Sequence, residues 1–409
     1  MEVKIKRDGE SERWWAYFIE NRRLVGVDEV GSKSLDLFFN SNLSRGETAN
    51  AIAAEYDVSP EQARTDLDAF LDDVDRELSP NRFASIEQSK LSVPWGVELQ
   101  ITGQCNLSCG HCLQGDFTGQ MDTERAIEII DSLATAGVFE ISVLGGEPFV
   151  HHGILSIIRH CQEHDLATNV VSNGLLLSAQ TIEALAEFRR LTIFVSLDGL
   201  EADHDFIRGH GTFAGTSAAI SRLIGAGIET EVLCTLTSRN IDHYMDVLEY
   251  CRSVGIVCNF NLFKPFRIEH AFLLPEPERF FDALIDLFDL RDKKGYQLGL
   301  ANAAIASRLL GVKPQNECRA TQSGLVINYA GQMVTCPSLE EAGRYAPNEL
   351  PVFDNNWLQK WRTHPAFVDF KESGLANCQA REFVFRKLFD RADPYSADEF
   401  EKYLAKRST

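Results

Sequence analysis

The sequence predicts an α/β protein built on six consecutive β-α units, with a small helix-rich unit before them and a hairpin-bearing segment after them. Three observations carry that prediction. Strand-length apolar runs alternate with helix-period segments from Val97 to Asp292; a hairpin pattern and three helical patterns fill the first 80 residues; beyond residue 295 the alternation stops. Strands and helices that alternate in this way fold as a parallel sheet with right-handed crossovers.

In the first unit, residues 1–80, Trp14–Ile19 and Leu24–Val27 read as strands around a turn at Glu20-Asn-Arg-Arg23. A short apolar helix is expected near Leu35–Phe39, followed by helices after Ser44 and Ser59. Ser59 is the N-cap of the last, with Pro60 at its first position and Gln62 closing a capping box. Its residues Leu67, Phe70, Leu71, Val74 and Leu78 recur at helical spacing. The polar stretch from Ser79 to Pro94 reads as a linker, assigned to residues 81–94.

In residues 95–295, strands are expected near Val97–Thr102, Glu140–Leu144, Ala167–Val171, Thr192–Leu197, Glu229–Leu236 and Val257–Leu262. Helices are expected at Thr123–Ala136, Ile154–His164, Ala179–Phe188, Ala214–Gly225, Asp242–Val254 and Glu276–Asp292. Six units are too few for a full eight-unit barrel; an open six-unit barrel is what the family resemblance given below implies. Ligands of parallel barrels sit at the C-terminal strand ends.

The 409 residues carry a formal charge of −20, which argues against nucleic acid as the main partner, since phosphate binding needs basic patches. No apolar run approaches the ~20 residues of a membrane span. The first residues lack the apolar stretch of a signal peptide. Ten cysteines in that setting point to reduced thiols and metal ligands in the cytoplasm.

Cys105, Cys109 and Cys112 stand in a C-x-x-x-C-x-x-C run directly after the first barrel strand. Three thiolates in one short loop suit three irons of a 4Fe–4S cluster better than one tetrahedral zinc ion, which usually shows paired C-x-x-C units. One helix and one strand later comes Gly145-Gly146-Glu147-Pro148, a turn whose glycines let backbone approach a ligand. This combination resembles the radical S-adenosylmethionine (SAM) enzymes. The resemblance implies that the fourth iron chelates SAM, whose reductive cleavage gives a 5′-deoxyadenosyl radical. An electron donor such as flavodoxin or ferredoxin is then an expected partner.

Further polar residues at strand ends match motifs of that superfamily: Ser172 and Asn173 after the third strand, Ser196 and Asp198 at the fourth, and Arg208 beyond it. By the resemblance, Ser196 hydrogen-bonds SAM and Arg208 pairs with its carboxylate, as a guanidinium does well. Gly145, Gly146 and Glu147 would hold its amino end. His111 takes the place of an aromatic residue beside the adenine. Read without the resemblance, Ser172 and Asn173 are turn formers, Asp198 a cap and Arg208 a surface residue. Cys161, Cys234, Cys251 and Cys258 fall inside strand or helix patterns and read as small core residues.

In residues 296–409, Leu325–Asn328 and Gln332–Thr335 read as a hairpin around Tyr329-Ala-Gly331, with Cys318 and Cys336 at its ends and Cys378 further on. This resembles the twitch or SPASM extension of peptide-modifying radical SAM enzymes, which holds auxiliary iron–sulfur clusters. Arg381 stands where a further cysteine is expected, so a complete two-cluster SPASM is excluded. One auxiliary cluster on Cys318, Cys336 and Cys378, a remnant without metal, and three unrelated cysteines stay open.

The order of elements in residues 1–80 resembles the winged-helix domain of the pyrroloquinoline-quinone peptide chaperone, which binds a leader peptide as an added strand. Aspartates 66, 68, 72, 73 and 75 speak against a DNA-binding version. Together these resemblances imply a radical SAM maturase of a ribosomally made precursor peptide, with an intramolecular cross-link as the expected product. Two alternatives are a radical SAM enzyme for a small molecule or peptide-derived cofactor, and a non-catalytic peptide-binding scaffold.

Overall fold

The computed structural model describes residues 1–8, 13–19, 23–78, 91–112, 118–300, 305, 308–309, 323–372 and 378–407. The tip of the first turn, residues 81–90 of the linker, and Cys318 lie outside the described residues. The chain divides into two compact units, Met1–Val93 and Pro94–Thr409.

The first unit has three antiparallel strands in the order β1 (Val3–Arg7), β2 (Trp14–Phe18), β3 (Arg23–Val27). Strand β1 was not expected, although Val3 and Ile5 alternate with lysines in the strand period; it pairs Val3 with Phe18 and Arg7 with Trp14. Helix α1 (Glu29–Leu35) starts six residues before the expected apolar stretch, because Asp28 caps it by accepting from Gly31 N at 2.7 Å. Asp36–Asn40 continues it as one wider turn. Helix α2 (Arg45–Tyr56) opens on a full capping box between Ser44 and Glu47. At α3 (Pro60–Leu78) the box is half made: Ser59 Oγ accepts from Gln62 N at 3.1 Å, while the Gln62 amide turns to Asp66. Ala16, Phe18, Leu35, Ala49, Leu67, Leu71 and Val74 form the core between sheet and helices.

The second unit is organised around nine strands in the order β10-β9-β8-β7-β6-β5-β4-β11-β12. Its central six are β4 (Gly96–Thr102), β5 (Glu140–Gly145), β6 (Ala167–Ser172), β7 (Leu191–Ser196), β8 (Glu229–Leu236) and β9 (Val257–Leu262), all parallel. Every one was expected. The connecting helices are α4 (Thr123–Ala136), α5 (Ile154–Glu163), α6 (Ala179–Leu185), α7 (Glu201–Arg208), α8 (Thr212–Gly225), α9 (Tyr244–Val254) and α10 (Pro277–Lys294). Helix α7 is an addition to the expectation. It is two turns long and carries four charged residues in eight, too short for an apolar period to stand out in the sequence.

Alternation along β4 shows how the strands divide inside from outside. Val97, Leu99 and Ile101 are buried under the helix layer, whereas Glu98 and Gln100 face the barrel interior. Three short strands extend the sheet at its ends. β10 (Leu298–Leu300), which was not expected, runs parallel to β9. β11 (Gly324–Ile327) runs parallel to β4, and β12 (Met333–Val334) turns back antiparallel to it. The expected hairpin is therefore the far edge of the barrel sheet.

Beyond it, Cys336 precedes α11 (Pro337–Glu341) and Cys378 precedes α14 (Gln379–Phe389), with α12 (Trp357–Thr363) and α13 (Pro365–Glu372) between and α15 (Ala397–Arg407) last. Arg381 is 2% exposed; its Nε donates to Asp393 Oδ2 at 2.8 Å, and Asp393 is wholly buried. A guanidinium bound to its own carboxylate occupies this position instead of a thiolate. Arg381→Ala should cost about 3–5 kcal/mol of stability in denaturant unfolding, because it strands a buried charge; a loss under 1 kcal/mol would show that water reaches Asp393.

Candidate functional site

The site lies at the C-terminal ends of β4 to β7, where the loops after successive strands meet. Gly146 N donates to Thr102 O and Glu147 N to Gln104 O, both at 2.8 Å, so the turn after β5 is laced to the cysteine loop after β4. The two glycines are demanded by this closeness. Gly145 has φ +150°, and a Cβ there would fall 2.1 Å from Thr102 O; one on Gly146 would fall 2.3 Å from Gln104 O.

Glu147 is 1% exposed and ties in the third loop. Its carboxylate accepts from Ser172 Oγ at 2.9 Å, Asn173 N at 2.7 Å and Phe149 N at 3.2 Å. Burial pushes this carboxyl up, against the pull of the Asn173 and Phe149 N–H groups. Asn173 then reaches back to the cysteine loop, its Nδ2 lying 2.8 Å from Asn106 Oδ1 and 3.9 Å from Cys105 Sγ.

Asp198, wholly buried, organises the other side. Its Oδ2 accepts from Arg208 Nε at 2.6 Å and lies 3.3 Å from His111 Nε2; its Oδ1 accepts from Thr235 N at 2.8 Å. Burial works to raise this carboxyl, but Arg208 and then His111 outweigh it and hold it below the usual carboxylate range. Burial lowers His111 to about 4, so its imidazole is neutral near pH 7. Its Nδ1 is buried without a hydrogen-bond partner. A flat neutral ring with a spare nitrogen beside Cys112 suits a purine neighbour.

Cys105, Cys109, His111, Cys112, Gly145, Gly146, Ser172, Asn173, Ser196 and Arg208 all line one cavity of about 490 Å³. Glu147 and Asp198 stand behind its wall and position others. Burial pushes the Cys109 thiol up to about 11 and raises Cys105, while Arg208 pulls both the other way. Iron loading must therefore displace protons from this loop. Three converging thiols, a nearby cation and an unsatisfied ring nitrogen fit a three-cysteine cluster with a small zwitterionic ligand.

The other half of the cavity wall is Glu98, Gln100, Asn261, Phe263, Lys264 and Phe266, with Pro337 from the C-terminal segment. Sequence reasoning missed these. Polar side chains at alternate positions of an otherwise apolar strand, as at Glu98 and Gln100, were the available signal. Cys336 and Cys378 lie in one small apolar cluster with Leu339, Phe370 and Ala380. Burial raises the Cys336 thiol, with Lys264 opposing and Cys378 adding to it.

Comparison with known proteins agrees with this geometry. The radical SAM superfamily model matches residues 99–263, and the model for coenzyme PQQ synthesis protein D (PqqD) matches residues 15–77. The chain thus carries a radical SAM domain, of the superfamily that uses a 4Fe–4S cluster and SAM, joined to a PqqD-like domain. It is 30% identical over 167 residues to sporulation killing factor maturation protein SkfB of Bacillus subtilis, a match spanning 40% of this chain and 41% of that one. It is 25% identical over 330 residues to mycofactocin maturase MftC of Mycobacterium ulcerans, covering 74% of this chain and 88% of MftC. Streptococcus suis SuiB, in a crystal structure with precursor peptide SuiA, shares the fold with a TM-score of 0.65 at 15% identity, over 90% of each chain. Among the described residues no helix is long and apolar enough to cross a membrane.

The close approach of the two loops gives a direct test. Gly146→Ala should destabilise the protein by about 1–3 kcal/mol, as overpacking does. Iron bound per chain after anaerobic reconstitution should fall with it. Wild-type iron content and stability in the variant would mean that the cysteine loop shifts freely.

Proposed function

We propose that this protein is a radical SAM maturase of a ribosomally made precursor peptide, acting in the cytoplasm with a small electron-donor protein such as flavodoxin or ferredoxin. The observation that carries this reading is the joining of a PqqD-like domain to a complete cysteine-loop site in one chain. SkfB and MftC are themselves a maturation protein and a maturase, and SuiB has been crystallised with its precursor peptide.

In this reading Cys105, Cys109 and Cys112 hold the cluster. Carbonyls of the Gly145-Gly146 turn accept from the amino group of SAM, since the Gly146 and Glu147 N–H groups are already engaged. Glu147 acts one step back, by fixing Ser172 and Asn173. Arg208 offers its remaining guanidinium N–H groups to the SAM carboxylate while Asp198 fixes its direction. Ser196 and His111 flank the nucleoside. When bound, cluster and SAM together supply a 5′-deoxyadenosyl radical that takes a hydrogen atom from the substrate.

Residues 1–93 would bind the leader along a strand edge of the three-stranded sheet, where backbone pairing gives affinity. The core segment then meets the cavity half lined by Glu98, Gln100, Lys264 and Phe266. Burial pushes the Glu98 carboxyl up while Lys264 pulls it down, so the two act on each other across this half. The product proposed is an intramolecular cross-link; Cys318, Cys336 and Cys378 would hold an auxiliary iron–sulfur cluster, which would supply an acceptor for the electron that oxidation releases. Cys336 and Cys378 pack in one small apolar cluster, which gives the proximity such a site would need.

The test is anaerobic reconstitution with SAM, a reductant and the short peptide encoded beside the gene, read by mass spectrometry. The peptide should lose mass by two hydrogens. A chain lacking residues 1–93 should still cleave SAM yet modify the peptide far more slowly. Equal turnover by the truncated chain would sink the leader-binding role. Glu98→Gln should keep SAM cleavage within about twofold and slow peptide modification by roughly tenfold or more, an effect on the substrate half alone. Parallel loss of both activities would place Glu98 with the SAM contacts.

A further inference from the structure

The outer face of the barrel carries a cluster for which this chemistry has no use. Helix α5 presents His160, and its C-cap residue His164 follows four residues on, bringing the two rings to one side. Asp131 of the adjacent α4 meets them. The Nε2 atoms of His160 and His164 lie 2.8 and 2.7 Å from the same oxygen, Asp131 Oδ1. One ligand atom from each of the three side chains lies within 4.8 Å of the other two. The imidazole rings meet edge to face, with centroids 4.8 Å apart at 75°. On its far side, His160 Nδ1 lies 3.3 Å from Glu163 Oε2. A metal-bound imidazole commonly holds its second nitrogen on a carboxylate in this way, which fixes the tautomer and the ring.

The geometry points to a divalent transition-metal site made by His160 Nε2, His164 Nε2 and a carboxylate oxygen of Asp131, with Glu163 orienting His160 and water completing the shell. Two imidazoles and one carboxylate suit zinc and its neighbours; calcium and magnesium want oxygen ligands throughout. The Asp131 side chain is 52% exposed and that of His164 34%, which leaves room for water ligands, while His160 is held at 19%. The hydrogen bond from His160, then that from His164, keeps the Asp131 carboxyl below its ordinary value, so it is ionised as a ligand must be. Helix α4 precedes β5 and α5 follows it. An ion here would clamp together the two helices beside the strand that delivers Gly145, Gly146 and Glu147, from the face remote from the cavity.

The competing reading is a set of hydrogen bonds alone, with His160 and His164 held on Asp131 and no metal bound. Full-length protein loaded anaerobically with iron, so that its cluster cysteines are occupied, is titrated with zinc chloride alone by calorimetry and by thermal unfolding. One saturable equivalent is expected, with Tm rising by about 2–4 °C at saturation. The pair His160→Ala and His164→Ala should abolish this equivalent, and Asp131→Asn, which keeps both imidazoles, should weaken it roughly tenfold or more. No uptake by the unaltered protein, or an equivalent that survives undiminished in the double variant, overturns the site. Should the double variant fail to fold, unchanged affinity in Asp131→Asn overturns it as well.

Discussion

A carboxylate with no access to solvent sets the geometry of the site. Taking Asp198 out of water is costly unless each oxygen finds a partner. Arg208 supplies the charge, with His111 beside it, and the N–H of Thr235 serves the other oxygen. These partners come from the cysteine loop, from the end of α7 and from β8, so satisfying one buried ion draws three parts of the chain together. The backbone of Asp198 is held in turn: its N–H donates to His204 Nδ1 and its carbonyl accepts from the Asn240 amide. Burial lowers His204 to about 4, which keeps that nitrogen able to accept near neutral pH. Moving Arg208 toward a ligand thus strains a network that is otherwise satisfied, and its direction is set before anything binds.

Much of the barrel was legible in the sequence because strand-length apolar runs, with one face of each strand packed under the helix layer, alternate regularly with helix-period segments. The six central strands fell where those runs fell. What escaped notice were elements whose stability comes from elsewhere in the molecule. Strand β1 gains its place from pairing with Trp14–Phe18, and β10 is a three-residue addition to β9. Helix α7 is held by packing with α8 and by the bond from Gly110 N to Ile207 O at 2.8 Å. Local propensity says little about any of them.

The site was legible in its ligands and less so in its supports. The spacing of Cys105, Cys109 and Cys112 carried chemical meaning by itself. Glu147 and Asp198 read as ligand contacts in the sequence because they sit in motifs, yet in space they brace the loops that carry Asn173 and Arg208. The glycines of the turn were read as room for a ligand; the first thing they make room for is the carbonyl of the neighbouring loop. Glu98 and Lys264 belong to no motif. They are neighbours only because the first and last strands of the barrel face each other, and a linear reading has no access to that. Arg381 belongs with them, since its fit with Asp393 depends on the turn of the chain after α14.

The pairing of β11 with β4 reaches beyond the site. Val326 stands beside Glu98, so the strand that leads into the cysteine loop has one neighbour from its own half of the barrel and another made more than two hundred residues later. Contacts of such separation form slowly and leave strand edges exposed meanwhile. During synthesis the edge of β4 stays open until β11, ending at Ile327 of the 409 residues, has emerged. The order of translation therefore leaves the strand that carries the cysteine loop unpaired along one edge in any chain that stops before β11.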